Sequence, residues 1–433
     1  QHQRKGTVMD KQNTTATHLA QPIELRCGVH IKNRFFKSAM HEAMADRDHA
    51  PTERFAALYR QWAEGGAGVL MTGNVMVDHT QLGEPGNVAL EDDSNLAPFR
   101  SWAEAGTVNG MQCWMQLNHP GRQSPATINP HPWAPSAGKL EGEYGKFFAE
   151  PRELDRAQIH DIQQRFATAA RLAKQAGFTG VQLHGAHGYL INQFLSPLDN
   201  QRTDEYGGSL DNRMRFLVET YQAVREAVGS DFPVAVKLNS SDGQEGGFSE
   251  DESLTVIQRL ADLGVDLVEI SGGTLEKPTF STNTGDKEDS ARGVYLDFAT
   301  RVKQLDLHGT VVCLTGGFRT PADMEDALEQ GITDMIGIAR PLVPAARHGP
   351  STSSNGDIEP TNRFKLPWIT TGVKSLDKAF NGVLVISWFE LQMNRIGTGK
   401  NPDPNIGGMR ALLFALKQHG PAALSPRRRK NRN

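Results

Sequence analysis

Two histidines and a tyrosine, His184, His187 and Tyr189, fall within the run GVQLHGAHGYLINQFLSP that spans Gly180 to Pro197. An apolar stretch stops at His184 and an amphipathic one follows Tyr189, so the three side chains stand where a strand gives way to a helix. Neutral imidazoles donate N–H bonds to a carbonyl oxygen, and a tyrosine delivers a proton without starting ionised. Two donors on one carbonyl beside an acid suit conjugate reduction of an enone, with the hydride supplied by a cofactor. Two other readings stay open. With His119 as a third ligand the histidines would hold a metal and make a hydrolase, and histidines at a strand end also simply cap and pack.

Eight β-rich runs position these residues: NRFFKSAM, AGVLMTGNVM, QCWMQL, GVQLHG, PVAVKLN, DLVEISGG, TVVCLTGG and DMIGIAR. Several are apolar with little alternation, as in parallel strands buried on both faces. Helical patterns separate them. Ser249 and Glu252 form a capping box for a helix that stops at Gly264; Thr320 caps another, with Pro321 at its first position and Gly331 past its end. Asn212 to Val228 repeats its apolar positions at helical spacing. Eight βα units predict a closed (β/α)8 TIM barrel with its active site at the C-terminal ends of the strands. An open doubly wound sheet would want fewer strands and a glycine-rich first turn, which KSAMHEAM is not.

The strand ends then form one mouth. They are Ser38, Ala39, Met40 and His41; Gly73 and Asn74; Gln116 and His119; His184, His187 and Tyr189; Lys237 and Asn239; Ser271, Gly272 and Gly273; Gly316 and Gly317; Ala339 and Arg340. The strands bring almost no carboxylate to that rim, which disfavours carboxylate-driven hydrolysis. Gly316 and Gly317 in TGGF let backbone N–H groups approach an anion. The helix from Thr320 offers a positive dipole end and Arg340 a guanidinium fork, so the last two loops predict a phosphorylated ligand. Lys237, in the apolar strand AVKLN, must face either an acid such as Glu269 or an anionic cofactor atom. Gln116 has the donor and acceptor needed to read an amide-like ring edge.

The chain has 433 residues, 38% apolar and 22% charged, with a formal net charge of -4. This balance points away from nucleic acid and anionic membranes. Cys27, Cys113 and Cys313 are too few and too scattered for an iron–sulfur cluster, and Cys113 and Cys313 sit in apolar runs as buried free thiols. No apolar run approaches transmembrane length, and a cytoplasmic protein is expected. Residues 1–20 read as a flexible leader, 21–345 as the barrel, 346–362 as a polar linker, and 363–433 as a helical segment with a basic tail packing on the barrel.

Several ordered motifs resemble the Old Yellow Enzyme family of FMN-dependent NAD(P)H:flavin oxidoreductases. IKNRFFKSAM and WAEGGAGVLMTGNVMVD look like its first strands, and WMQLNHPGRQS is similar to its Q-L-x-H-x-G-R run. HGAHGYLINQFLSPLDNQRTDEYGGSLDNRMRF is the longest match, and TGGF and GIARPL resemble its phosphate-binding end. The resemblance runs from about Gln21 to about Pro404. It implies that Ser38, Ala39, Met40 and Gly73 cradle the flavin ring and Gln116 bonds its pyrimidine edge. It further implies that Lys237 lies near N1 and O2, and that Gly316, Gly317, Ala339 and Arg340 bind the phosphate. His184 and His187 would hold the substrate carbonyl and Tyr189 would protonate the α-carbon, NADH or NADPH being the reductant. His41, also in the substrate site, stands where a small hydroxyl or thiol residue is usual. Ala39 replaces a frequent proline, Lys237 a usual arginine, and Lys37 an apolar residue. The implied partner is a small activated alkene. Oxidative dehydrogenation or demethylation on the same scaffold stays open, as does assembly into a homo-oligomer. Long loops, roughly Ser124 to Glu153 and Thr274 to Arg292, are expected lids, with Trp133, Tyr144, Phe147 and Phe280 shaping a pocket or packing the loops.

Overall fold

The computed structural model of the chain describes residues 17–138, 145, 148–273, 290–318, 320–343 and 374–419. All eight expected runs are strands: β1 (Phe35–Lys37), β2 (Val69–Met76), β3 (Gln112–Asn118), β4 (Gly180–Gly185), β5 (Val234–Asn239), β6 (Leu267–Ser271), β7 (Val311–Thr315) and β8 (Met335–Ile338). Each pairs in parallel with its neighbours, and β1 pairs with both β8 and β2, so the sheet closes on itself. The fold is the (β/α)8 barrel that the alternation predicts.

Helices cover the outside: α1 (Glu53–Glu64), α2 (Ala97–Gly106), α3 (Arg156–Ala176), α4 (Arg215–Val228), α5 (Glu250–Leu263), α6 (Ser290–Val302) and α7 (Pro321–Glu329). Two more, α8 (Lys374–Gly397) and α9 (Gly408–His419), follow the barrel. The Ser249–Glu252 capping box is present on α5, and Gly264 ends that helix in the left-handed region. The pattern read as one helix over Asn212 to Val228 is broken: a single turn, Leu210–Arg213, precedes α4.

Strand alternation decides what the barrel encloses. Residues 113, 115 and 117 of β3 join the outer core beneath the helices, whereas Trp114 packs inward with Phe36, Val69, Met71, Leu267, Val311 and Met335. Leu25, just after the strand Ile23–Glu24, and Ile31, from its antiparallel partner His30–Ile31, complete this apolar floor. Cys113 and Cys313 are buried free thiols, as expected. Gln116 and Asn118 lie on the inward row above Trp114, so polar side chains fill the barrel from its middle to its mouth. Tyr144, Phe147 and Phe280 of the expected lids, the 346–362 linker and the basic tail fall outside the described residues. Trp133 is half-buried, and its backbone N–H bonds Gln81 Oε1 at 3.2 Å.

Candidate active site at the barrel mouth

The middle layer is one hydrogen-bonded network. Gln116 Nε2 donates to Gln182 Oε1 at 2.7 Å, and Gln182 Nε2 donates to Glu269 Oε2 at 2.7 Å. The other Glu269 oxygen takes Lys237 Nζ at 3.2 Å and the Thr315 hydroxyl at 2.7 Å. Since the Thr315 proton goes to Glu269, Ser38 Oγ donates to Thr315 Oγ1, 2.9 Å away. Of the two partners open to Lys237, the structure supplies the acid, and Glu269 is fully buried beneath it. Gln116 Oε1 is buried without a hydrogen-bond partner among the described residues. Such acceptors are rare in folded proteins, and a ligand N–H would satisfy this one.

Above this layer the ring of His184 lies 4.8 Å from that of Tyr189 and 5.2 Å from that of His187, each pair edge to face. His184 Nδ1 accepts from Ala186 N at 3.3 Å, which puts the imidazole hydrogen on Nε2. Burial first, then the Lys237 charge, lowers the His184 pKa well below its ordinary value, so the ring is a neutral donor. His187 is depressed for the same two reasons, with His184 adding to them. The His187 backbone is left-handed, at φ 61°, and its N–H bonds Asn239 Oδ1 at 3.1 Å. Its Nε2 is 2.7 Å from Ser271 Oγ. Tyr189 caps the short helix Leu190–Leu195 and accepts weakly from Asn74 Nδ2 at 3.4 Å. Burial and then the Glu84 charge raise its phenol pKa, which keeps it protonated.

His119 does not join this pair as a metal ligand. Its Nδ1 takes Gly121 N at 3.1 Å, leaving the hydrogen on Nε2, and burial pulls its pKa down to about 4. Among the described residues, two groups bring three ligand-type atoms within 4.8 Å of one another: His41 with Glu84 and Glu390, and Asp78 with His79 and Glu91. The hydrolase set His119, His184 and His187 is neither of these. In the first group, Asn87 Oδ1 accepts from Glu84 N at 2.7 Å, so its NH2 faces His41 Nε2 at 2.7 Å. Two carboxylates facing His41 Nδ1 keep a hydrogen on that nitrogen, where a metal would need a lone pair. In the second group Arg165 adds its own charge 3.3 Å from Glu91.

The first strand end carries more charge than its sequence neighbours suggest. Burial alone would lower the His41 pKa. The Glu84 charge and hydrogen bonds to Glu390 and Glu84 outweigh it, and the pKa stands well above the ordinary value. Glu42 is buried and accepts from Gly73 N at 3.0 Å and from the Tyr59 hydroxyl. A side chain at position 73 would strike Glu42 and the Met40 carbonyl, which explains glycine there. Ala39 and Met40 are half-buried beside it. Lys37 is fully buried, with Nζ 2.7 Å from Met71 O and 4.3 Å from the centre of the Trp62 ring. Burial lowers its pKa to about 8, against the pull of Glu42.

At the last two strands Gly316 and Gly317 are exposed, with φ of 93° and 82° that only glycine adopts easily. Ala339 and Arg340 are half-buried, and Arg340 opens a short 3-10 turn. The expected dipole end of α7 is already claimed: Thr320 caps Asp323 N, and the Asp323 carboxylate returns to Thr320 N at 3.2 Å. An anion at this end would therefore meet the glycine backbone and Arg340 rather than the start of α7.

Residues 18–347 match the NADH:flavin oxidoreductase / NADH oxidase family. The chain belongs to that family. It is 38% identical over 346 residues to the NADH-dependent flavin oxidoreductase iliE of Hypocrea jecorina (strain QM6a), covering 75% of this chain and 86% of the relative. It is 32% identical over 333 residues to an NADPH dehydrogenase of Geobacillus sp. (strain WCH70), covering 76% and 91%. The old yellow enzyme homologue from Zymomonas mobilis superposes with a TM-score of 0.64 at 26% identity, covering 76% of this chain and 90% of that one. Family membership makes the protein an oxidoreductase whose cofactors are FMN and a reduced nicotinamide, as the motifs imply. No helix among the described residues is long and apolar enough to cross a membrane.

Sequence reasoning missed Glu42, Glu84 and Glu390, and so understated the acidity of the mouth. Glu84 follows β2 in a loop, and Glu390 lies on α8, 349 residues from the histidine it bonds.

Proposed function

We propose that the protein reduces activated alkenes, α,β-unsaturated carbonyl compounds in particular, at the expense of NADH or NADPH. The carrying observation is the pairing of a neutral His184 with a protonated Tyr189, whose rings are 4.8 Å apart at the mouth of a flavin-family barrel. When bound, FMN supplies the redox chemistry, accepting a hydride from the nicotinamide and returning one to the alkene β-carbon.

The residues fit that cofactor. Gln116 would offer its unpartnered Oε1 to an N–H on the pyrimidine edge. Ser38, Ala39, Met40 and Gly73 would line the ring, and Lys237 would set its charge beside it. Gly316, Gly317, Ala339 and Arg340 would hold the phosphate. His184 would donate Nε2–H to the substrate carbonyl, and His187 would assist through the nitrogen that now meets Ser271. Because both rings stay neutral, they polarise the oxygen without handing over a proton. Tyr189 O–H gives its proton to the α-carbon, and its raised pKa ensures that the phenol starts with one. The substrate is a small molecule admitted at the mouth, His41 forming part of that wall.

Tyr189→Phe tests this reading by separating the two half-reactions. Flavin bleaching by NAD(P)H should stay within a few-fold, while turnover of cyclohexenone falls by about 10²–10⁴-fold. Equal losses in both, or no loss in either, would remove Tyr189 as the acid.

A further inference from the structure

Glu390 lies 43 residues beyond the segment that matches the family, which ends at residue 347. It belongs to α8, which packs along α1, yet its carboxylate is 1% exposed and turned into the mouth. Its Oε1 is 3.0 Å from His41 Nδ1, and Glu84 Oε2 reaches the same nitrogen at 2.8 Å from the opposite side of the chain order. Asn87 closes the ring at Nε2. Three contacts, two from the loop after β2 and one from a distant helix, thus fix an imidazole that immediately follows the strand end Ser38–Met40.

The helix is anchored independently of this contact. Met393 and Ile396 are buried in the main core, and Gly397 lies so close to Arg54 of α1 that a Cβ there would meet the Arg54 Cβ at 2.8 Å. A buried carboxylate is costly unless paired, and His41 Nδ1 is a partner that Glu390 meets among the described residues. Its placement on Nδ1 has a consequence for the histidine: whether the ring carries one proton or two, the Nδ1 proton sits between two carboxylates.

We infer that Glu390 is a positioning residue of the active site, holding His41 in place and keeping a proton on its Nδ1, so that the C-terminal helix is a working part of the mouth. The inference rests on the proposed function for what the mouth does, but the geometry of the clamp stands apart from it. Among the described residues, the charged groups facing His41 are Glu84 from the loop after β2 and Glu390 from α8. Glu84 also acts on Tyr189, so the clamp and the proton donor share a neighbour.

The test compares Glu390→Gln with Met393→Ala, a change in the same helix that loosens its core packing without touching the carboxylate. The first readout is the pH titration of the His41 ring by NMR, assigned by its loss in His41→Asn; it needs no flavin. Glu390→Gln should lower the His41 midpoint by at least about one unit, a tenfold change in proton affinity. The second readout, on the FMN-loaded protein, is the KM for cyclohexenone against kcat, where Glu390→Gln should raise KM several-fold more than it lowers kcat. Met393→Ala should leave the His41 midpoint in place and give no such split. A His41 midpoint unchanged in Glu390→Gln would overturn the inference, as would equal shifts in the two variants. Failure of the wild type to bind FMN would strike the proposed function instead, leaving the titration to judge the clamp.

Discussion

Gln116 and Gln182 are joined by one hydrogen bond, Nε2 to Oε1 at 2.7 Å, and that bond leaves the Gln116 carbonyl oxygen buried with no donor. The amide cannot turn over without setting two carbonyl oxygens against each other, because Gln182 Nε2 is committed to Glu269. The orientation of Gln116 is therefore fixed by a carboxylate two residues away in the network. Replacing Gln116 with Leu removes the acceptor and strands Gln182 Oε1. FMN affinity should fall about tenfold, the worth of a buried hydrogen bond, as read by equilibrium dialysis or flavin fluorescence. Unchanged affinity would remove Gln116 from the cofactor site.

Lys237 and Glu269 make a buried pair in the same network. Lys237→Met leaves the Glu269 charge without its cation, and breaking a buried pair from one side costs about 3–5 kcal/mol. Urea unfolding should show a large loss, and Glu269→Gln in the same chain should restore part of it. If Lys237→Met is as stable as the wild type, the pair is not what holds the layer together.

The double variant His184→Ala with His187→Ala should retain FMN but lose phenol-type ligands, which mimic the carbonyl oxygen. Each donor contributes about 0.5–1.5 kcal/mol, so affinity should drop by roughly one to two orders of magnitude. Titration of the visible flavin spectrum with a phenol measures it. Undiminished phenol affinity would remove the clamp.

Acid should destabilise the fold through its neutral histidines. The folded pKa of His119 is depressed to about 4, below the usual 6.5. Between those values the unfolded chain binds the proton and the folded chain does not, so stability is fully present above about 6.5 and falls as pH drops toward 4. A single such group contributes up to about 1.4 kcal/mol per pH unit. His119→Gln should flatten the fall in melting temperature between pH 6.5 and 4.5 relative to wild type. An identical slope in the two proteins would contradict the assignment.

Much of this arrangement is legible in the chain. Apolar runs such as VAVKL and VVCLT are buried on both faces, which makes parallel strands visible without alternation, and the Ser249–Glu252 box marks its helix because capping is local chemistry. Strand ends are then countable, so the residues at the mouth follow from the fold. The missed features are those in which partners come from afar or compete. Glu390 meets His41 across 349 residues, and no period or spacing encodes that contact. Asp323 lies three residues after Thr320 in TPAD, so the box that occupies the α7 terminus was written in the sequence, but its effect on anion binding was not. Whether Lys237 faces Glu269 or an anionic cofactor atom likewise depends on register: β5 and β6 set residues 237 and 269 side by side.

The most direct measurement is a single anaerobic turnover. The purified protein is loaded with FMN, bleached with NADH or NADPH, freed of excess nicotinamide and mixed with cyclohexenone while the visible flavin band is followed. The account predicts return of the band with one cyclohexanone formed per flavin, and loss of that return in Tyr189→Phe. A band that stays bleached with cyclohexenone, although oxygen restores it, would contradict alkene reduction while leaving the flavin oxidoreductase intact.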